Sequence, residues 1–208
     1  MKNSHAFIIG PFFLMKALVH GCTWTSKDKL SCLVPAQSLT FFGCTFQNAS
    51  VSHAAKALEV GDEAPDFTLP ASSGESVRLS FLKGKRVILY FYPKDDTSGC
   101  TAEACGFRDS MPKFDGLDAV VLGVSRDSLD SHARFINKYS LNFTLLSDTD
   151  LKAHKLYDCW KQKTLYGKKF MGTERSTFVI GADGRIMKIF RKVSPKGHEV
   201  EVLAALKP

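Results

Sequence analysis

Hydrophobic residues in the second part of the chain form short continuous runs separated by polar, helix-like stretches. Two runs, 86–92 (RVILYFY) and 119–124 (AVVLGV), are continuously apolar apart from the leading Arg86, as expected of strands buried at the centre of a sheet. Shorter runs predict further strands, at 67–69, 77–79, 143–146, 177–180 and 186–190. The turn SSGE joins the first two of these and GADGR joins the last two, so each pair is predicted to form a hairpin.

Between these strands the apolar spacing changes to that of helices. Apolar residues recur every three or four positions over 129–139, after Asp127 or Ser128 as a possible N-cap, and residues 198–206 predict a closing helix. A further helix-like stretch begins near Thr101. The order of strand, helix, strand, helix and final hairpin predicts an α/β domain with a thioredoxin-like fold and an N-terminal strand extension.

Residues 1–57 differ in composition from the body of the chain, residues 58–208. They hold five Lys, no Arg and one acid, Asp28, and so carry +4 of the formal net charge of +7. This Ser/Thr-rich, acid-poor leader predicts a targeting segment, which is removed or disordered in the mature protein. The lack of Arg favours a plastid (chloroplast) destination over a mitochondrion or another organelle. The alternative to a targeting segment is that residues 1–57 are a disordered tail that the mature protein keeps.

Charge and hydropathy exclude two classes of partner. Because the basic excess lies largely in the leader, no nucleic-acid binding is predicted. The apolar run at 6–14 is too short to span a membrane, so no membrane association is predicted either. The six His are scattered along the chain and predict no metal site.

Three of the six cysteines, Cys100, Cys105 and Cys159, lie in the body, too few for a fold held together by disulfides. Cys100 lies where an apolar run gives way to a helix-like stretch. A sulfur at a helix N-terminus lies near unpaired backbone N–H groups, which favour the thiolate over the thiol. Cys100 is therefore predicted to be reactive, whereas Cys159, beside Trp160, is interpreted as a packed core thiol rather than a second resolving thiol.

The spacing of Cys100 and Cys105 restricts how they can bond. On an α-helix five residues turn through about 500° and leave the two sulfurs about 140° apart. A disulfide needs Cα atoms within about 7 Å and convergent Cβ atoms. The two thiols are therefore interpreted as a redox pair that can bond only after residues 101–104 unwind.

The stretch YFYPKDDTSGCTAEACGFRD, followed downstream by GTERSTFVI, resembles the peroxiredoxins. A second cysteine five residues after the first is similar to the peroxiredoxin Q, or bacterioferritin comigratory protein, subfamily. The resemblance covers residues 58–206 and departs at Ser98, where the subfamily commonly has Pro. It implies a monomeric, cofactor-free thiol peroxidase that reduces hydrogen peroxide and organic hydroperoxides and is itself reduced by thioredoxin or a similar dithiol.

The resemblance also implies the site residues. Cys100 would attack the peroxide and become a sulfenic acid, and Cys105 would resolve it to a disulfide. Arg175 would hold the thiolate and the charge that develops on the peroxide oxygens. Thr97 would turn its hydroxyl towards sulfur and peroxide, and Pro93 would shield the pocket from water.

Glu103 has two open interpretations. It either orients Arg175 or is a solvated acid in the first turn of the helix, and the sequence favours neither.

Three other functions compete with the peroxidase. A thioredoxin-type disulfide oxidoreductase normally has a C-x-x-C motif, which is absent. A metal or iron–sulfur module is the second, because C-x4-C opens the plant-type ferredoxin pattern, but Arg108 stands where the next cysteine is needed. A non-catalytic adapter of the same fold would be expected to lack Thr97 or Arg175, and both are present.

Overall fold

The computed structural model describes residues 57–165 and 167–207. In chain order the elements are β1 (Thr68–Pro70), β2 (Ser76–Arg78), a 3-10 helix (Leu79–Leu82), β3 (Arg86–Phe91), α1 (Ser98–Asp115), β4 (Ala119–Ser125), α2 (Leu129–Tyr139), β5 (Thr144–Ser147), α3 (Lys152–Leu156), β6 (Trp160–Leu165), β7 (Lys168–Thr173), β8 (Ser176–Ile180), β9 (Ile186–Arg191) and α4 (His198–Leu206).

A five-stranded sheet with the order β5-β4-β3-β8-β9 forms the centre of the described chain. β3 pairs in parallel with β4, and β4 with β5, whereas β8 runs antiparallel to both β3 and β9. The two long apolar runs in the sequence are thus the adjacent strands β3 and β4. Both lie inside the sheet and are covered on both faces, which explains why their runs are continuous.

Successive residues of β3 point to opposite faces of the sheet and divide the core in two. Leu89 and Phe91 belong to one cluster, which includes Tyr157 after α3 and the hairpin residue Leu69. Tyr90 belongs to the other cluster, together with buried residues of α1, α2 and α4. The residues placed on α1 therefore lie on the same side of the sheet as Tyr90.

Two antiparallel hairpins, β1–β2 and β6–β7, lie outside the central sheet. The first confirms the predicted N-terminal strand extension, although its second strand ends at Arg78 and Leu79 begins the 3-10 helix. A bridge between Ala71 and Leu146 connects this hairpin to β5.

The predicted central strands, the β8–β9 hairpin and the closing helix are confirmed. α2 begins after Ser128, whose Oγ accepts a hydrogen bond from the Ser131 amide at 3.4 Å, so Ser128 rather than Asp127 is the N-cap. α1 starts at Ser98, three residues earlier than predicted. The β6–β7 hairpin and the five-residue α3 were not predicted.

The predicted leader, residues 1–57, lies outside the described residues except for Ala57, and it stays a prediction. Within the described part, no helix is both long enough and apolar enough to cross a membrane.

Candidate active site

Cys100 lies in the first turn of α1, on the loop side of the sheet where β3 ends. The backbone of Thr97, the N-cap residue, is extended, and its carbonyl accepts from the Thr101 amide at 2.8 Å. The Cys100 side chain is buried, with 2% of the residue exposed. The predicted strand-to-helix junction is confirmed, and the sulfur lies near the positive end of an 18-residue helix.

Arg175 contacts this sulfur from the short link between β7 and β8. Its Nη2 donates to Cys100 Sγ at 3.2 Å. The two residues meet because β8 pairs with β3, the strand that leads into α1. A guanidinium is always charged, so it can hold a thiolate in a fixed direction.

Glu103 is the second partner of Arg175. It lies one turn after Cys100 on α1 and is 1% exposed, so it is not the solvated acid that the sequence left open. Arg175 Nη1 donates to Glu103 Oε2. Glu103 therefore fixes the guanidinium that contacts the sulfur.

Burial dominates the electrostatics of Glu103. Burial, with a smaller contribution from the charge of Glu199, raises the pKa of this carboxyl from 4.5 to about 7, although the charge and hydrogen bond of Arg175 lower it. The other carboxyl oxygen, Oε1, has no hydrogen-bond partner among the described residues. Burial lowers the pKa of Arg175, but the charges of Glu103 and Cys100 outweigh it and hold that pKa above its ordinary value.

Thr97 and Pro93 both lie in the loop between β3 and α1, and both are exposed. The Thr97 hydroxyl donates to the Lys94 carbonyl at 3.2 Å. The structure thus brings Arg175 onto the sulfur but directs the Thr97 hydroxyl to the loop backbone. The roles that the resemblance implies for Thr97 and Pro93 stay predictions.

Cys105 lies five residues further along the same uninterrupted helix and is half-buried. Both Cys100 and Cys105 are free thiols. Because the helix is continuous through both, a disulfide between them requires the intervening turn to leave helical geometry.

Cys159 is fully buried in the other core cluster, across the sheet from Cys100. Its Sγ lies 3.4 Å from the Tyr157 carbonyl and accepts from Arg191 Nη1 at 3.6 Å. Burial raises its pKa to about 12, with Arg191 opposing the shift. The interpretation as a packed core thiol is confirmed.

A buried polar network fixes the loop between β3 and α1, and the sequence did not reveal it. Asp95 accepts from the hydroxyls of Tyr92 and Ser131, each at 2.7 Å, and lies 2.9 Å from His132 Nδ1. Its backbone amide donates to Asp127 Oδ2 at 2.8 Å. Burial raises the pKa of Asp95, but hydrogen bonds, first that of His132, outweigh it and lower the pKa overall.

Two glycines of α1 allow close approach of the chain before and within α4. A Cβ on Gly99 would lie 3.4 Å from Pro195 Cγ and 3.5 Å from Arg175 Nη2. A Cβ on Gly106 would lie 2.5 Å from Glu199 Oε2, so any side chain there would require the Glu199 carboxylate to move. Sequence spacing could not reveal either contact, because the partners are far apart along the chain.

Within residues 57–165 and 167–207, no group of three or more His, Cys, Asp or Glu side chains is close enough together to hold a metal ion.

The chain is similar to proteins of known function and structure. Residues 60–189 match the profile of the AhpC/TSA family. Peroxiredoxin Bcp of Bacillus subtilis is 51% identical over 150 residues, which are 72% of this chain and 96% of that protein. Peroxiredoxin Bcp of Escherichia coli is 43% identical over 150 residues, with the same shares of the two chains.

Solved structures give the same result. PrxQ of Xylella fastidiosa has a TM-score of 0.69 at 39% identity and covers 73% of this chain and 96% of its own. The bacterioferritin comigratory protein of Xanthomonas campestris, studied for its alkyl peroxide reduction activity, has a TM-score of 0.65 at 42% identity. The match covers 67% of this chain and 89% of that protein. These neighbours confirm the thioredoxin-like fold. The chain therefore belongs to the AhpC/TSA family, as a thiol peroxidase of the peroxiredoxin Q, or bacterioferritin comigratory protein, subfamily.

Proposed function

We propose that Cys100 is the thiol that reduces the peroxide. The observation that carries this proposal is the 3.2 Å contact between Arg175 Nη2 and Cys100 Sγ at the start of α1. The thiolate attacks the terminal peroxide oxygen, so that an S–O bond forms and the O–O bond breaks. The sulfur is oxidised by two electrons to sulfenic acid, and the departing hydroxide or alkoxide takes a proton from solvent.

Arg175 stabilises the charge that moves from sulfur to the leaving oxygen. Its guanidinium is fixed by Glu103 and already directed at Sγ, so little reorganisation is needed as the transition state forms. Glu103 acts through Arg175 and is a positioning residue.

Thr97 and Pro93 form the mouth of the peroxide site. Rotation of the exposed Thr97 side chain about χ1 exchanges the Lys94 carbonyl for the sulfur or the peroxide as hydrogen-bond partner. Pro93 offers no N–H group and so presents an apolar wall there.

Cys105 resolves the sulfenic acid. Its thiolate attacks the Cys100 sulfur, an S–S bond forms, and the sulfenic oxygen leaves as hydroxide and is protonated to water. A dithiol reductant, thioredoxin or a similar protein, then reduces the disulfide. Because both thiols belong to one helix, the cycle needs no second copy of the chain, which supports a monomer.

The proposed location is the plastid, with a mitochondrion or another organelle as the alternative. The composition of residues 1–57 supports it, since these residues are poor in acids, lack Arg and are rich in Ser and Thr.

Consumption of peroxide by the full chain with thioredoxin, its reductase and NADPH tests the proposed chemistry. Cys100→Ser should abolish peroxide consumption, because no other described thiol lies at the Arg175 contact. Cys159→Ser is the matched control and should retain most of the activity. A Cys100→Ser protein that still consumes peroxide at the wild-type rate would refute the assignment.

A further inference from the structure

Arg108 of α1 lies beside the second reactive thiol and plays no part in the chemistry above. It follows Cys105 by three residues, so the two side chains are neighbours on one face of the helix. Long side chains of a helix point back towards its N-terminus, which directs the Arg108 side chain towards Cys105. Arg175 does not face this thiol, because Cys105 lies about 140° around α1 from Cys100, the residue that Arg175 contacts.

Two hydrogen bonds fix Arg108 to the end of α2. Its Nη1 donates to the Tyr139 carbonyl at 2.6 Å, and its own carbonyl accepts from Asn142 Nδ2 at 3.3 Å. Tyr139 is the last residue of α2, where carbonyls lack helical partners, so a cationic donor suits it. Neither contact involves residues 101–104. Both can therefore persist when those residues unwind, and Cys105 then stays three residues from a fixed point.

The Arg108 guanidinium also interacts electrostatically with the Cys105 thiol. The hydrogen bond from Nε to Asp109 Oδ1, at 2.8 Å, raises the pKa of Arg108 most, burial lowers it, and the charge of Cys105 adds to the rise. The Asp109 side chain is 66% exposed, so water screens its charge. Within residues 57–165 and 167–207, Nη2 of Arg108 has no hydrogen-bond partner, which leaves it available to an anionic sulfur.

The resolving step needs a charge of this kind. Cys105 attacks as a thiolate, and the S–S bond forms as hydroxide leaves the Cys100 sulfur. A cation beside a thiol favours the thiolate. Because Arg108 is held by α2 and not by the segment that unwinds, its charge stays next to Cys105 while the helix opens.

We propose that Arg108 is the positioning residue of the resolving cysteine: it fixes the part of α1 that carries Cys105 to α2 and supplies the positive charge that favours the attacking thiolate. The inference rests on the proposed function, in which Cys105 resolves the sulfenic acid, and it leaves the atoms and electrons of that step unchanged. The two sulfurs thus have separate arginines, Arg175 for attack on peroxide and Arg108 for disulfide formation.

The test measures disulfide formation separately from attack on peroxide. The reduced full-length protein is mixed without a reductant with enough hydrogen peroxide that disulfide formation no longer depends on its concentration, and the disulfide is followed by acid quenching and mass spectrometry. Arg108→Gln should keep the second-order rate constant of Cys100 oxidation. It should slow disulfide formation near pH 7 on the order of threefold, as expected for one partly exposed charge, and raise the pH of half-maximal rate by about half a unit.

Slower resolution leaves the sulfenic acid open to a second peroxide for longer. Arg108→Gln should therefore form sulfinic acid at Cys100 at a peroxide concentration about threefold lower than the wild type does.

Three variants separate the charge from the structural contacts. Arg108→Lys keeps the charge, and Asn142→Ala removes one hydrogen bond to Arg108 but no charge, so both should keep the wild-type pH dependence of disulfide formation. Lys113→Gln is the matched control on the same helix. This exposed charge lies about 12 Å beyond Cys105 along the helix axis, more than the screening length of about 10 Å in 0.1 M salt, and its loss should change neither rate.

Three results would overturn the proposal. A wild-type rate and pH dependence of disulfide formation in Arg108→Gln would show that Cys105 does not use this charge. Equal slowing in Arg108→Gln and Arg108→Lys, with an unchanged pH dependence, would leave Arg108 as a structural contact of α1 alone. A wild-type protein that consumes peroxide but forms no Cys100–Cys105 disulfide would defeat the proposed resolving step and this inference with it.

Discussion

At the scale of single residues, the site depends on an arginine that contacts a thiol and a carboxyl group of one helix. Arg175 contacts Cys100 and Glu103, which lie one turn apart on α1. The sequence motif identified Cys100 and Arg175 by resemblance. It could not decide the role of Glu103, because burial of that carboxylate depends on the packing of distant segments around α1.

Arg175→Ala should slow the second-order oxidation of Cys100 by peroxide on the order of 100-fold, because the fixed charge that stabilises the transition state is lost. Rapid mixing of reduced protein with increasing peroxide measures this constant without any reductant. Arg191→Ala is the matched control, because Arg191 contacts Cys159 on the other face of the sheet. Equal rate constants for wild type and Arg175→Ala would show that another group supplies the charge.

Glu103 should make the stability of the protein depend on pH. Its pKa is about 7 in the folded protein and 4.5 ordinarily, so the folded state binds the proton more tightly than the unfolded state does. The contribution of this group to stability is therefore fully present below about pH 4.5, and is lost as the pH rises to about 7. The loss is at most about 3 kcal/mol.

Glu103→Gln keeps an oxygen that can accept from Arg175 but cannot ionise. Chemical denaturation at pH 5 and pH 8 should show that the wild type loses more free energy of unfolding between the two values than the variant does. Parallel losses in the two proteins would mean that Glu103 does not titrate in this range.

At the scale of elements, α1 carries both reactive thiols on one continuous helix. Residue spacing alone predicted that the two sulfurs diverge, because helix geometry is local and regular. Other elements escaped prediction. α3 is only five residues long, which is too short to show a helical period. β6 and β7 are rich in Lys and lie outside the central sheet, so they lack the apolar pattern of a buried strand.

Disulfide formation should unfold about one turn of α1, because the two thiols cannot bond within an intact helix. Amide exchange over residues 101–107 should be slow in the reduced protein and markedly faster in the oxidised one. The amides of the buried strand β3 should change much less and serve as the internal control. Equal protection of residues 101–107 in both states would contradict the predicted unwinding.

Cys105→Ser should keep the first attack on peroxide but form no intramolecular disulfide. Sulfenic and then sulfinic acid should accumulate at Cys100 unless another thiol resolves it. Mass spectrometry of peroxide-treated protein detects each product, with Cys159→Ser as the control that still forms the Cys100–Cys105 bond. A Cys100–Cys159 bond in the wild type would show that Cys159, and not Cys105, is the resolving residue.

At the scale of the whole molecule, the chain combines a peroxiredoxin body with residues 1–57, which differ from it in composition. The body's fold was predictable because its central strands are continuous apolar runs with helical stretches between them. The network around Asp95 was not, since it joins residues of the β3–α1 loop and α2 that are more than 30 positions apart.

Residues 1–60 fused to a fluorescent reporter should enter plastids if the source cell has them, because the leader is acid-poor and rich in Ser and Thr. Microscopy with a plastid marker measures this, and the reporter fused to residues 58–208 is the control. Diffuse cytosolic fluorescence of the leader fusion would refute targeting.

The attachment of Asp95 to α2 affects how quickly the enzyme recovers after each turnover. The loop before α1 is held by α2, and the Arg175 carbonyl is held by the Val193 amide. Unwinding of residues 101–104 therefore moves the sulfur and Glu103, while these two backbone segments stay in place. Once the disulfide is reduced, only a short helical segment has to re-form against this template. Helix formation takes about 0.1–1 μs in peptides, so the exchange with the reductant, rather than reassembly of the site, should limit the return to the active state.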